Sequence, residues 1–262
     1  MLIKASQIKG YSIEASDGPI GTVSDLLFDD DTWTTRWLVV ETGNWLFNRQ
    51  VLLPASALGH PDLAARTFPV KLTRAQVKNS PDVDTHLPVS RQLEANIYDY
   101  YGFSPYWGTE DYLIGYGYWG GLAFTPPLLP QSADTGTTSR EDEVLQMQRQ
   151  AEDAHLRSIE VLRGYHIHAT DGEIGHLADV LLDDTDWTLH YLVVDTSNWW
   201  QGKEVLISPR STQSIMWSER MLYLGVDRDK VRGSPDYNPA LPVDAALDAD
   251  LARHYGPQKQ AA

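Results

Sequence analysis

Four histidines in the second half of the sequence are the residues best suited to metal chemistry. They are His166, His168, His176 and His190. His166 and His168 alternate along one predicted strand, so their imidazoles would share a face and could bind a zinc ion. When the two halves of the sequence are aligned, as described below, the matching positions are Ser12, Glu14, Thr22 and Arg36. A ligand set is therefore not repeated, and we interpret the histidines as an exposed polar face without a metal.

Acidic residues form two further groups. The runs Asp29 to Asp31 and Asp183 to Asp186 could offer carboxylates to calcium, but they lack the spacing and the closing glutamate of an EF-hand, so solvated hairpin turns are the favoured interpretation. Asp25 and Asp179 each stand among apolar residues of a predicted strand. A carboxylate in such a place needs hydrogen-bond donors, and we expect each of the two to brace nearby backbone amides.

Covalent catalysis and cofactor binding have little support in the sequence. There is no cysteine, which removes thiolate nucleophiles, disulfides and iron–sulfur clusters. No Gly-x-Ser-x-Gly turn presents a serine, and the glycines from Gly115 to Gly121 follow no predicted strand and precede no clear helix, unlike a phosphate-binding loop. The sequence thus predicts a protein that is not an enzyme and has no cofactor.

Composition narrows the classes of partner. Of the 262 residues 42% are apolar, enough for packed cores, and the formal net charge of -15 opposes binding to phosphate backbones or anionic lipid. Nucleic acid is therefore not an expected partner. The N-terminal residues do not resemble a secretory signal, and no apolar run is long enough to span a membrane. We expect a cytoplasmic protein.

An internal repeat organises the chain. Shifting the sequence by 154 positions aligns Gly10–Gly102 with Gly164–Gly256 without a gap, and about 35 of the 93 pairs are identical. The predicted domains are residues 1–102 for the first copy and 159–256 for the second. Residues 103–158 would form an arm, a linker and a charged helix, and residues 257–262 a tail. Duplication of one small domain is the simplest origin of this pattern.

Each copy has the pattern of a β-meander that ends in a helix. Asp17-Gly18 and Asp171-Gly172 are typical hairpin turns, and strands are predicted on both sides of each. Both faces of Trp37 to Val40 are apolar, which predicts a strand that is covered on both sides. Short helices are expected at Ser90 to Tyr101 and Asp244 to Tyr255, where they could cover part of the sheet.

The order of these motifs resembles the PRC-barrel domain. It is carried by Gly-Tyr, then Asp-Gly-x-Ile-Gly, then an Asp-Leu-Leu or Asp-Val-Leu strand, an acidic turn, and Trp-Leu-Val-Val or Tyr-Leu-Val-Val, all of which occur in both copies. The family includes the cytoplasmic barrel of the photosynthetic reaction-centre H subunit and the C-terminal domain of a ribosome-maturation factor. The resemblance implies a mainly β protein of two small barrels that dock onto other macromolecules, without catalytic residues shared by the family.

The segment from Tyr98 to Phe124 is dense in aromatic residues and glycines, which suits it to lying in a groove. Wrapping one of the two copies is the favoured interpretation, and exchange between subunits of a homo-oligomer or contact with another protein are alternatives. Tryptophans beside predicted turns could anchor a protein contact in the same way. The candidate partner-binding residues are Trp45, Tyr106, Trp107, Tyr116, Tyr118, Trp119, Trp199 and Trp200.

The leading functional hypothesis is a protein-interaction or adaptor protein. The first alternative is an accessory subunit of a photosynthetic reaction centre or electron-transfer complex, peripherally associated with the membrane, where carboxylates and histidines would assist proton delivery. The second alternative is a ribosome-associated assembly factor. The sequence does not single out a partner.

Overall fold

A computed structural model describes residues 1–46, 49–81, 91–106, 156–197 and 203–256. The chain is mainly β, with two sheets that follow the two halves of the repeat. Successive elements of one copy recur in the other at the same offset as the sequence match, as expected for a duplicated domain.

The first copy starts with a very short strand and ends with an eleven-residue helix. Its elements are β1 (Leu2–Lys4), α1 (Ala5–Ile8), β2 (Ser12–Ala15), β3 (Gly18–Asp29), β4 (Thr34–Glu41), β5 (Gln50–Pro54), β6 (Thr67–Pro69), α2 (Arg74–Lys78) and α3 (Arg91–Tyr101). Short 3-10 helices lie at Gly43–Leu46 and Ala55–Ala57.

The second copy repeats this order and adds one strand. Its elements are β7 (Leu156–Ser158), α4 (Ile159–Leu162), β8 (His166–Ala169), β9 (Gly172–Asp183), β10 (Leu189–Asp195), β11 (Glu204–Ile207), β12 (Thr212–Met216), β13 (Met221–Leu224), α5 (Arg228–Arg232) and α6 (Ala245–Tyr255). A 3-10 helix at Pro209–Ser211 precedes β12. The charged helix of the linker was predicted from Arg140 to Arg157, but Leu156 and Arg157 belong instead to strand β7.

Four strands of each sheet form an antiparallel meander around one twelve-residue strand. The next strand pairs in parallel with the first strand of the hairpin, β6 with β2 and β13 with β8. In the first copy the strand order is β5-β4-β3-β2-β6, and in the second it is β11-β10-β9-β8-β13-β12. The predicted Asp-Gly turns join β2 to β3 and β8 to β9, and both long strands pair antiparallel with both of their neighbours. The strands predicted from the sequence are thus confirmed in position and direction.

A glycine in each long strand permits the close approach of the neighbouring chain. Gly175 has a φ of +140°, and a Cβ atom built on it would lie 1.9 Å from the carbonyl oxygen of Asp195. Gly21 meets the carbonyl oxygen of Glu41 in the same way, at 2.2 Å. Only glycine fits at these positions, which explains the second glycine of the Asp-Gly-x-Ile-Gly motif.

The two copies exchange their first strands. Strand β1 of the first copy pairs antiparallel with the end of β9, with Leu2 opposite Asp183 and Lys4 opposite Leu181. Strand β7 of the second copy pairs in the same way with the end of β3. The first part of each long strand therefore pairs with the preceding strand of the same copy, β3 with β2 and β9 with β8. The last part pairs with the short first strand of the other copy, β3 with β7 and β9 with β1. The predicted domain boundaries did not anticipate this exchange.

Near the centre of this arrangement the two acidic turns meet. The amide of Thr35 donates to the carbonyl of Trp187 at 2.9 Å, and the amide of Leu189 donates to the carbonyl of Trp33 at 2.7 Å. Thr34 and Thr188 form an isolated antiparallel bridge. These contacts are related by the same sequence offset, so the copies pack about an approximate twofold axis.

One hydrophobic core runs through both copies. Most buried apolar residues from β1 to Tyr101 and from β7 to Val231 belong to a single cluster. Trp187 of the second copy packs on Phe68 of the first, with ring centroids 5.3 Å apart. Because the two halves bury side chains against each other, we expect them to unfold together.

The outer faces of the central strands are covered, as the doubly apolar pattern predicted. Trp37 and Tyr191 are both fully buried. Helix α6 places Leu251 in a second, smaller cluster with Tyr191, Val193 and Leu206. Helix α3 buries Ile97 and Tyr98 against the first copy. The C-terminal helices therefore serve as lids, one for each sheet.

Candidate interaction site

Two aspartates, Asp25 and Asp179, hold the exchanged segments in place. We call the region where each long strand meets the exchanged segment of the other copy the joint. Just before each aspartate, a β-bulge at Ser24 or at Ala178 interrupts the pairing of the long strand. A bulge turns the following side chain out of the regular alternation. Asp25 and Asp179 consequently reach the first helical turn of the opposite copy.

Asp179 is 5% exposed and accepts hydrogen bonds from both copies. Its carboxylate accepts from the amide of Val180 at 2.9 Å, from the amide of Ser6 at 3.2 Å and from the Ser6 hydroxyl. Ser6 lies in α1, so the carboxylate caps a helix that belongs to the first copy. The expectation that this aspartate braces backbone amides is confirmed, and its partner segment is the exchanged one.

Asp25 makes the equivalent contacts in the other direction. It accepts from the amide of Leu26 at 2.7 Å, from the amide of Glu160 at 3.2 Å and from the Ser158 hydroxyl. Burial raises the pKa of the Asp25 carboxyl above its usual range, although the hydrogen bonds from Ser158, Leu26 and Glu160 act to lower it. The joint therefore contains a carboxyl group whose ionisation is opposed by the fold.

A cluster of aromatic and charged side chains covers the outer face of the first copy. Glu94 on α3 is 2% exposed and accepts a hydrogen bond of 2.8 Å from the indole nitrogen of Trp37. The hydroxyl of Tyr106 lies 3.4 Å from both carboxylate oxygens of Glu94. The guanidinium of Arg36 stacks 3.7 Å from the centre of the Tyr106 ring, a cation–π contact. Tyr98 packs between, with ring centroids 4.7 Å from Trp37 and 6.3 Å from Tyr106.

The second copy carries the same arrangement with fewer rings. Asp248 on α6 corresponds to Glu94 and accepts from the hydroxyl of Tyr191 at 2.7 Å. His190 corresponds to Arg36 and lies 3.4 Å from Asp248. Ala252 stands where the first copy has Tyr98, and the sequence after Gly256 contains no aromatic residue. The Asp248 side chain is 45% exposed, whereas its counterpart is buried.

The remaining histidines each have a separate partner. His166 lies 2.8 Å from Glu173, and His176 lies 3.7 Å from Asp195. His168 packs beside the ring of Tyr223, with centroids 5.5 Å apart. Within the residues that the structure describes, no three metal-ligating side chains converge.

The acidic turns use their first carboxylate to hold the turn itself. Asp29 is 5% exposed and accepts from the amides of Asp31 and Thr32 at 3.1 and 3.0 Å. Asp183 accepts from the amide of Thr185 at 2.8 Å. These carboxylates stabilise the hairpin from inside, a role that local sequence explains.

Of the candidate partner-binding residues, Tyr106 is the one whose side chain the structure places. It is half-buried against Glu94, Arg36 and Tyr98 of its own chain, as described above. The side chain of Trp45 lies outside the described part of the chain, as do Trp107, Tyr116, Tyr118, Trp119, Trp199 and Trp200.

Two residues of the cluster were missed by the sequence analysis, Glu94 and its counterpart Asp248. A signal existed, because an acidic residue recurs at the same position of an amphipathic helix in both copies. The helices were predicted from the spacing of their apolar residues alone, and that spacing does not point to the carboxylates.

Comparison with known families agrees with this architecture. Residues 1–77 match the sequence model of the PRC-barrel domain family. The first copy carries a PRC-barrel domain. The match stops before α3, and the second copy is related to the matched region through the internal repeat and the shared order of its elements. A search of curated proteins returned no significant match.

The match supports a role at the level of the family, in protein interaction or assembly. Among the described residues no helix is long and apolar enough to cross a membrane.

Proposed function

We propose that this chain is a non-enzymatic docking protein in which two PRC-type units form one body that binds partner proteins. The observation that carries the proposal is the exchange of β1 and β7, because it joins two copies of an interaction domain through one core. A rigid body of this kind can hold two binding faces at a fixed separation, which lowers the entropic cost of engaging a partner at two points.

The two outer faces differ in a way that suits binding to unlike partners. The lid of the first copy buries its carboxylate beneath Tyr106, whereas the lid of the second copy leaves Asp248 in contact with solvent. Duplicated surfaces that diverge in this manner can recognise different ligands while the core that positions them stays the same.

Affinity capture from native cell extract, with the intact chain as bait and mass spectrometry as the readout, tests the docking role. Chemical cross-linking before the capture would map each partner to a face of the chain. We expect reproducible partners with cross-links to the second copy, and an Asp248→Arg bait should lose those partners while an Asp250→Arg bait keeps them. Recovery of the same proteins with an unfolded bait, and of no others, would contradict a docking role.

The aromatic segment is tested in the same assay. Baits with Trp107→Ala and Trp119→Ala separate a contribution of that segment from one of the folded faces. If the segment binds partners, these baits lose proteins that the Asp248→Arg bait retains.

A second candidate function is that of an accessory to a membrane electron-transfer complex. It is favoured by three histidine–carboxylate pairs of the second copy, since such pairs can relay protons. They are His166–Glu173, His176–Asp195 and His190–Asp248. Co-fractionation of the native protein with membranes would support this role. A pool found wholly in the soluble fraction would contradict it.

A further inference from the structure

In the first copy, a tyrosine from the same chain, Tyr106, lies on the outer face formed by helix α3 and strand β4. Tyr106 follows α3 in sequence and places its phenol against a helix carboxylate and its ring against a strand cation. This contact uses two features that recur in the second copy, an acid on the last helix and a basic residue on the central strand. The first copy is thus an internal template for recognition at the second.

In the second copy the carboxylate that corresponds to Glu94 belongs to Asp248, whose side chain is 45% exposed, whereas Glu94 is buried. Ala252 in place of Tyr98 removes one ring beside the carboxylate. The sequence from Pro257 to Ala262, which lies beyond the aligned span, contains no tyrosine that could take the place of Tyr106. The carboxylate of Asp248 still has lone pairs to offer, since Tyr191 takes one oxygen and nearly half of the side chain faces solvent. His190 lies 3.4 Å from Asp248, and its counterpart in the first copy, Arg36, stacks on the ring of Tyr106.

From this difference we infer that the surface formed by His190, Asp248 and Ala252 is a docking site for a tyrosine presented by a partner protein. The phenol would donate to Asp248, and the ring would lie beside His190 in the space that Ala252 leaves. Tyrosine suits this site because it brings a large flat surface and one hydrogen-bond donor with few rotors to fix. A neutral side chain also avoids the repulsion that the net charge of -15 imposes on an acidic ligand.

The inference deepens the proposed docking role and rests on it, but the two can fail separately. Affinity capture asks whether any partner binds any face, whereas the titration below asks whether one face recognises tyrosine. A protein that captures partners through other surfaces would keep the docking role and lose this site.

The probe is a synthetic peptide that copies residues 102–108, Gly-Phe-Ser-Pro-Tyr-Trp-Gly, titrated into the intact isotope-labelled chain and followed by NMR. We expect shifts centred on the amides of His190, Asp248 and Ala252. A control peptide has phenylalanine in place of tyrosine, so that the same wild-type chain is used with both peptides. The control should bind about tenfold more weakly because it cannot donate a hydrogen bond to the carboxylate of Asp248.

Matched variants of the chain complete the experiment. Asp248→Ala should weaken binding about tenfold, and Asp250→Ala, one turn or less away on the exposed face of the same helix, should leave it within about twofold. Equal binding of the two peptides, or shifts located elsewhere, would overturn the inference. So would binding to a variant with Tyr112, Tyr116 and Tyr118 replaced by phenylalanine but not to the wild-type chain, because the chain's own tyrosines would then occupy the site.

Discussion

Replacing Asp179 with alanine is expected to lower the free energy of unfolding of the entire chain by about 3 kcal/mol, at about 1 kcal/mol for each of the three hydrogen bonds lost. The carboxylate is almost fully buried, and its removal leaves the amide and hydroxyl of Ser6 and the amide of Val180 without their acceptor. Two of these donors belong to the other copy. The substitution therefore loosens the joint as well as the sheet that carries it.

Urea unfolding followed by tryptophan fluorescence measures the effect. With a urea dependence of about 3 kcal/mol per molar, typical for the larger single domains, the midpoint should fall by about 1 M. We expect one transition before and after the substitution, because both copies share the core. Asp250→Ala is the control: it removes an exposed ion pair with Arg253 and should move the midpoint by less than about 0.3 M.

Two results would refute this reasoning. A midpoint shift no larger than that of the control would mean that Asp179 does not hold the joint. Two separate transitions, of which only one moves, would mean that the copies fold independently and that the exchanged strands contribute little.

Two further substitutions test the same architecture. Gly175→Ala should cost more than about 2 kcal/mol because its Cβ would collide with the carbonyl of Asp195, whereas Gly164→Ala, also at positive φ but with open space around it, should cost about 1 kcal/mol; equal losses in urea unfolding would contradict the collision. Because the folded pKa of Asp25 is raised, the wild type should lose stability relative to Asp25→Asn as pH rises above the ordinary value of 3.8. A stability difference that is constant from pH 4 to pH 7 would contradict the burial of that carboxyl.

Much of each copy could be predicted from local patterns. The Asp-Gly turns and the doubly apolar run at Trp37 gave the strands and their order, since turn chemistry and alternation act over a few residues. The helix after Asp244 followed from its apolar spacing, and the structure adds that the Asp244 side chain caps it. Because the two copies align without a gap, each prediction made for one copy also applied to the matching residues of the other.

The strand exchange could not be predicted in this way. Strand β1 has three residues, and nothing in Leu2–Lys4 distinguishes pairing with β3 of its own copy from pairing with β9 of the other. That choice depends on the packing of the whole core. The sequence did indicate that Asp25 and Asp179 need donors. Two of the three donors to each carboxylate lie more than a hundred residues away, beyond the reach of a local pattern.

The outer-face cluster was missed for a related reason. Glu94 lies on the helix that was expected to cover the sheet, and a buried acid on such a face contradicts simple apolar patterning. It is tolerated because the indole of Trp37 and the phenol of Tyr106 donate to it. These two donors could not be predicted from the sequence, because they come near Glu94 only when strand β4, helix α3 and the segment after α3 pack together.

Cutting the chain between the two copies tests whether they form one body through their exchanged strands. A protease site inserted between Thr135 and Gly136, in the segment predicted to be a linker, allows cleavage of the folded protein, and native mass spectrometry then weighs the products. One complex of the two unlike fragments is expected, with the mass of the intact chain, 29.4 kDa, plus the inserted residues. Free fragments, or pairs of like fragments alone, would contradict it.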